Sequence, residues 1–305
     1  MLEPVWIFLT QQKRGNFASG PSRSPARKGR TGQREICPVQ LIEEILLTRL
    51  EHLCQAMKNF LLRKFLFRPT RLAPEAHYHF DAPFEELWLD TPDGVRLNAL
   101  YFPAPVQPAR GAVLYFHGNR HNLRRWGAMH HSFTDLGYDV LMPDYRGYGK
   151  SGGEPGEAAL FADARLLFDW LSTRHAPQRI VVYGRSLGSG MASWLAAQVP
   201  ARAVVLETPF DSIAGLLTAH LGLGRAPFEP QPRFSNDAYL RQAPMPLLLF
   251  HGTRDRVVPY ACAARLQAAL KPGDEFVTIE GGSHHNLSEY AEYRERLRGW
   301  LERVG

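Results

Sequence analysis

The sequence predicts a doubly wound α/β fold built on a parallel sheet, and three observations predict it. Short, almost wholly apolar runs of strand length recur: AVLYF at 112–116, YDVLMP at 138–143, RIVVYG at 179–184, RAVVLE at 202–207, PLLLFHG at 246–252 and EFVTIEG at 275–281. Runs apolar on both faces are what a sheet covered on both sides requires. Between them lie helical stretches, and strand-helix alternation sustained from residue 85 to the end is the grammar of one doubly wound domain. Composition agrees: 305 residues with 45% hydrophobic and 22% charged side chains are ordinary for a globular chain, and no apolar run approaches the length of a membrane-spanning helix.

The elements follow in order. Residues 1–37 are read as a disordered basic extension, because QQKRGNFASGPSRSPARKGRTGQREI at 11–36 is rich in Gly, Ser, Pro and cations and holds almost nothing apolar to offset ordering entropy. The opening MLEPVWIFLT has its acidic residue before the apolar patch and its cations after it, the reverse of an export signal. Residues 38–78 are expected to form an amphipathic helix and a linker. Ile42, Leu46, Leu50, Leu53, Met57, Phe60, Leu61 and Phe65 recur at steps of three and four, Pro38 suits the first turn and Pro69 ends the run. Lys58, Arg63, Lys64 and Arg68 make its second half basic, so residues 57–68 could pack on their own domain, lie peripherally on an anionic membrane or meet a partner. Residues 79–305 are the main domain. ELWLDTPDGVRLNALYF reads as two extended runs joined at Pro92-Asp93-Gly94, and EAALFADARLLFDWLSTR, SGMASWLAAQV, ACAARLQAAL and YAEYRERLRGWLERV read as helices.

Charge excludes one class of partner. The net charge of +6 comes from residues 1–80, with 13 Lys/Arg against 6 Asp/Glu, whereas residues 81–305 hold 23 against 24. The main domain therefore has no footprint for nucleic acid. Cys37, Cys54 and Cys262 are too few and scattered for a disulfide framework or zinc site, and fit a reducing, cytoplasmic setting.

The chemistry is legible at five places. Gly184-Arg185-Ser186-Leu187-Gly188 is a G-x-S-x-G that follows the strand RIVVY and opens the helix SGMASWLAAQV, which puts Ser186 on a sharp strand-to-helix turn. Gly184 and Gly188 are needed there because side chains at those positions would collide across so tight a turn. A serine hydroxyl needs a base, and the base an orienting acid. Asp255 follows PLLLF in His251-Gly252-Thr253-Arg254-Asp255, and His284 follows FVTIE in Gly281-Gly282-Ser283-His284-His285-Asn286, giving the order Ser, Asp, His, each after a strand. Asp211, after RAVVLE, is the reserve acid. An oxyanion would be held by the backbone N–H of Leu187 and, from the His117-Gly118-Asn119-Arg120 loop, that of Asn119. His117 reads as a buried loop histidine. The spacing of His117 with His121 lacks a carboxylate or cysteine to complete a metal site, so no metal is expected.

Taken together, HGN at 117, DYRGYGKSGG at 144–153, YGRSLGSG at 183–190, HGTRD at 251 and GGSHHN at 281 resemble the α/β-hydrolase superfamily, and within it the compact serine-hydrolase branch labelled serine-aminopeptidase-like or α/β-hydrolase-domain-containing. The resemblance covers roughly residues 80–305. It implies an eight-stranded, mostly parallel sheet with a short cap, here about Pro209 to Pro246, and acyl transfer without a cofactor. It also implies a Ser186, Asp255, His284 triad, with His284 rather than His285 as base. Arg120 and His121 stand where that branch more usually has small residues, so they are expected to narrow the substrate entrance or make it positive. Arg185 either contacts an anionic substrate group or makes a salt bridge beneath the turn. In the cap, Ile213, Leu216, Leu217 and Leu221 either line an acyl pocket or cover the sheet edge.

The expectation is a serine hydrolase that cleaves carboxylic esters of short to medium acyl chains through an acyl-enzyme. A thioesterase, an aminopeptidase-type peptidase and a catalytically idle lipid- or protein-binding fold are the alternatives. A peptidase would want an acidic cluster in the cap to grip an amino terminus, and the cap offers only Asp211, Glu229 and Asp237. Residues 1–56 are expected to be dispensable, with Met57 as a possible true start. Oligomeric state is not legible.

Overall fold

The computed structural model describes residues 38–304, with side chains from Thr48 onward. The extension expected at 1–37 lies outside the described residues. From Arg49 onward the chain groups into one compact unit.

Eight strands form the central sheet: β1 (Glu85–Asp90), β2 (Arg96–Phe102), β3 (Gly111–Phe116), β4 (Tyr138–Pro143), β5 (Ile180–Arg185), β6 (Ala203–Glu207), β7 (Leu247–Gly252) and β8 (Glu275–Ile279). Their order across the sheet is β8-β7-β6-β5-β3-β4-β2-β1. The pairs β1·β2 and β2·β4 are antiparallel and the rest parallel. The fold is thus the eight-stranded, mostly parallel α/β architecture expected.

Alternation within the strands explains the two-sided cover. Leu114 and Phe116 of β3 belong to one buried cluster and Val113 and Tyr115 to the other, because successive side chains of a strand point to opposite faces. The first face is covered by helices α2 (Glu157–Ser172) and α3 (Gly188–Ala196), and the second by α5 (Ala291–Val304), whose Tyr293, Leu297, Trp300 and Leu301 are buried. The stretch ACAARLQAAL departs from expectation. It breaks into an α turn at Tyr260–Ala264 and a 3₁₀ turn at Arg265–Ala269, with Arg265 at the join bonded to Asp211.

Helix α1 (Pro38–Leu66) forms where the periodicity predicted it, but the residues that pack are different. Leu62, Leu66 and the following Phe67 enter the first core cluster, whereas Leu50, Leu53, Met57, Phe60, Leu61 and Phe65 of the predicted stripe are exposed. The cap contains α4 (Ile213–Leu221), begun by the Ser212 side chain accepting from Gly215 N–H and ended at Gly222 with φ 63°. Ile213 is buried, and Leu216 and Leu217 pack partly against the first cluster.

Candidate active site

Parallel strands bring their carboxyl ends to one edge, where crevices form. Ser186 follows β5, Asp255 follows β7 and His284 follows β8. Ser186 has φ 52°, a conformation non-glycine residues seldom adopt. It is held there by its N–H donating to Glu207 O at 2.9 Å and its carbonyl accepting from Ser189 N–H at 2.9 Å and Ser189 Oγ at 2.6 Å. The flanking glycines are required by contact. A Cβ at Gly184 would lie 2.6 Å from Gly188 O, and one at Gly188 would lie 2.1 Å from Phe116 O on the neighbouring strand.

The three side chains form a continuous hydrogen-bonded line. His284 Nδ1 lies 2.7 Å from Asp255 Oδ2, and His284 Nε2 lies 2.9 Å from Ser186 Oγ. An ionised carboxylate can only accept, so the imidazole proton sits on Nδ1 and Nε2 is left to accept from the serine hydroxyl. Asp255 Oδ1 accepts from the N–H groups of Val257 and Val258, each at 2.8 Å. Burial pushes the Asp255 carboxyl up, but the His284 hydrogen bond and charge and the Val258 N–H outweigh it, holding the group below the usual carboxylate range. All three residues are nearly sealed from solvent. The reserve acid is not part of this line, because Asp211 forms a two-pronged pair with Arg265 at 2.7 and 2.9 Å. His285 is exposed, its ring perpendicular to that of His284.

Of the two expected oxyanion donors, Leu187 directly follows the serine and Asn119 stands in the loop after β3. Among the described residues, neither the Leu187 nor the Asn119 N–H donates to a protein acceptor. A Cβ at Gly118 would be crowded by the Trp126 ring at 3.3 Å and would meet Ser186 Cβ at an ordinary 3.9 Å, so the loop after β3 runs beside the serine. That loop is pinned by side chains: Asn119 Nδ2 donates to Leu66 O at 3.2 Å, Tyr148 Oη donates to Asn119 O at 3.0 Å, and Tyr145 Oη donates to His117 O. His117 itself is fully buried beside Asp144, its Nε2 3.4 Å from Oδ1. Arg120 is exposed beyond the loop, and His121 has φ 67°. His130 is buried, bonded to Thr134 Oγ1 at 3.1 Å and stacked on Phe102 at 4.3 Å.

Arg185, weighed for a substrate contact or a salt bridge, is 6% exposed. Its guanidinium lies 3.4 Å from Glu207 Oε1, donates to the His284 carbonyl at 3.1 Å and sits over the Trp126 ring at 5.2 Å. The geometry is that of the salt bridge. Sequence reasoning named no partner for it. Glu207 pairs in register with Arg185 across β5 and β6, and it accepts from Tyr183 and, at 3.2 Å, from Tyr293. The signal was a charged residue closing the apolar run RAVVLE. His251, with Nε2 3.4 Å from Asp255 Oδ2 and 2.9 Å from Val258 O, was also passed over.

Known proteins bear on this arrangement. The chain matches the family described as serine aminopeptidase, S33, over residues 107–225. It is 35% identical over 205 residues to an uncharacterised Mycobacterium tuberculosis protein, an alignment covering 65% of this chain and 71% of that one. It is 29% identical over 201 residues to the alpha/beta hydrolase domain-containing protein 17C of Xenopus tropicalis, covering 63% of this chain and 62% of the other. In three dimensions it resembles the Pyrococcus furiosus esterase Pf2001, with a TM-score of 0.62 at 20% identity over 78% of this chain and all of that one. The esterase domain of a Rhodothermus marinus protein gives 0.57 at 24% identity, over 73% of this chain and all of the other.

Proposed function

Since the chain belongs to the α/β-hydrolase superfamily, we propose that it is a serine esterase cleaving carboxylic esters of short to medium acyl chains through a covalent acyl-enzyme. The reading rests on one observation, the placement of His284 between Asp255 and Ser186 at 2.7 and 2.9 Å. In the first half-reaction Ser186 Oγ attacks the ester carbonyl as its proton passes to His284 Nε2, and Asp255 stabilises the imidazolium. The carbonyl electrons move to oxygen, where the N–H groups of Leu187 and Asn119 meet the negative charge. Collapse expels the alcohol, which takes the proton from His284. A water, deprotonated by the same nitrogen, then attacks the acyl-serine, and the acid departs as the bond to Ser186 Oγ breaks and that oxygen takes the proton back from His284.

The short cap supports the chain-length preference, because among the described residues its longest helix, α4, has only nine residues, too few to roof a long acyl chain. Purified protein assayed against p-nitrophenyl esters from acetate to palmitate tests the reading. Turnover should fall with long chains, and Ser186→Ala should lower it by at least about 10³-fold while the oxyanion donors remain. Labelling by a fluorophosphonate probe should vanish in the same variant. Unchanged turnover in Ser186→Ala would overturn the mechanism, and rates climbing steadily through palmitate would overturn the chain-length preference.

A further inference from the structure

Helix α1 meets the domain along one face. The Gln55 amide donates to Glu229 O, Asn59 Oδ1 accepts from Gln231 N–H at 3.0 Å, Arg63 donates to Pro155 O at 2.7 Å, and Leu62 and Leu66 are buried. At roughly 100° per residue, these five positions span one side of the helix. Leu50, Leu53, Met57, Phe60, Leu61 and Phe65 fall within an arc of roughly 140° on the opposite side, and each is more than half exposed. So large a contiguous apolar surface marks an interaction site rather than scattered exposed residues.

We propose that this face docks α1 in the plane of an anionic phospholipid surface. Its charge selects the occupant. Of the cations in residues 49–68, Arg63 bonds Pro155 O and Lys58 sits over the Phe228 ring of the domain, so Arg49, Lys64 and Arg68 stand against the single carboxylate of Glu51. A second copy of the helix would set these cations against their own kind, whereas lipid phosphates offset them. The side chains already lie as such a surface needs. The Lys64 ammonium sits over the Phe60 ring at 5.6 Å and the Arg68 guanidinium over the Phe65 ring at 5.2 Å. Aliphatic stems thus run along the apolar face with the charges at its border, able to reach headgroups while the rings enter the acyl boundary. Among the described residues no helix is long and apolar enough to cross a membrane, so the contact lies in the plane of the surface.

Flotation of the full chain with vesicles tests this, using phosphatidylcholine alone and phosphatidylcholine with about one-third phosphatidylglycerol. The protein should float with the anionic vesicles and bind the neutral ones at least about tenfold more weakly. Leu53→Glu combined with Phe60→Glu should lower binding to the anionic vesicles by at least about tenfold. Its thermal transition should stay in place, since both positions face solvent. Failure to bind anionic vesicles, or equal binding to neutral ones, would overturn the proposal. So would undiminished binding by the double variant, which would assign the lipid contact to cations outside α1. A wild-type dimer that the double variant dissolves, without vesicle binding, would make the face a contact between copies and overturn it equally.

Discussion

Arg185 carries a charge into the protein next to Ser186, and a buried charge persists only where it is paired and hydrogen-bonded. Its partners give it two tasks. Glu207 neutralises it, and the carbonyl of His284 takes one of its N–H groups, which fixes the backbone from which the imidazole reaches Ser186. Arg185→Met should remove both and leave Glu207 buried and unpaired, at about 3–5 kcal/mol of stability. The double change Arg185→Met with Glu207→Gln should recover most of that stability, as read by denaturant unfolding. Ester turnover should nevertheless remain about 10- to 100-fold down in kcat with little change in KM, because the His284 backbone has lost its tether. Recovery of kcat together with stability would show that the residue only fills and neutralises the interior. The neighbouring histidines separate in the same assay. His284→Ala should be nearly inactive and His285→Ala largely active, since only His284 lies within reach of both Asp255 and Ser186.

At the scale of elements, α1 is attached to the domain through its last turns. The bonds from Asn59 and Arg63, the burial of Leu62 and Leu66, and the Asn119 bond to Leu66 O all lie beyond residue 57. Just past the helix, Arg68–Pro69 pairs in parallel with Arg120–His121, so this end of α1 also braces the loop that carries Asn119. A chain begun at Met57 loses only the Gln55 contact among these. It should unfold in one cooperative transition and keep turnover within about twofold of the full chain, because surface changes away from core features cost little. Starting instead at Thr70 removes the brace, and turnover should then fall together with the unfolding temperature. Loss of the cooperative transition in the Met57 chain would show that earlier residues belong to the core.

The molecule as a whole should lose stability in acid, in two stages set by different groups. Burial holds His130 down at about 4, and it lowers His251 as well. Below a histidine's ordinary value the unfolded chain takes up a proton that the fold refuses, so stability falls from about pH 6.5 toward the His130 value of about 4. Asp255 and Asp139 are held below their ordinary range, Asp139 at about 2 despite its burial, through His175 and the Ala104 N–H. Their contribution is present above the ordinary carboxylate value and is lost only as pH falls through their folded values. The unfolding temperature should therefore drop between pH 7 and 4.5, and His130→Phe, which keeps a ring against Phe102, should make that drop smaller. An unchanged drop would place the sensitivity elsewhere.

What the sequence determined by itself is what short stretches of chain decide. The apolar runs and the periodicity between them set strands and helices, because backbone pairing and side-chain period act over a few residues. The turn at Ser186 was legible for the same reason: a Cβ at Gly184 would strike Ala192 and the Gly188 backbone, and one at Gly188 would strike the backbone of Phe116 and His117. Tertiary structure alone decided which distant groups meet. Asp211 and Asp255 both follow a strand, yet strand order and loop course carry one to Arg265 and the other to His284. Arg185 finds Glu207 only because β5 and β6 are neighbours in register. The periodicity of α1 announced an apolar face without saying what covers it. Burial depends on the surface across from a helix, and here the domain takes Leu62 and Leu66 and leaves Leu50, Leu53, Met57, Phe60, Leu61 and Phe65 of the predicted stripe outside.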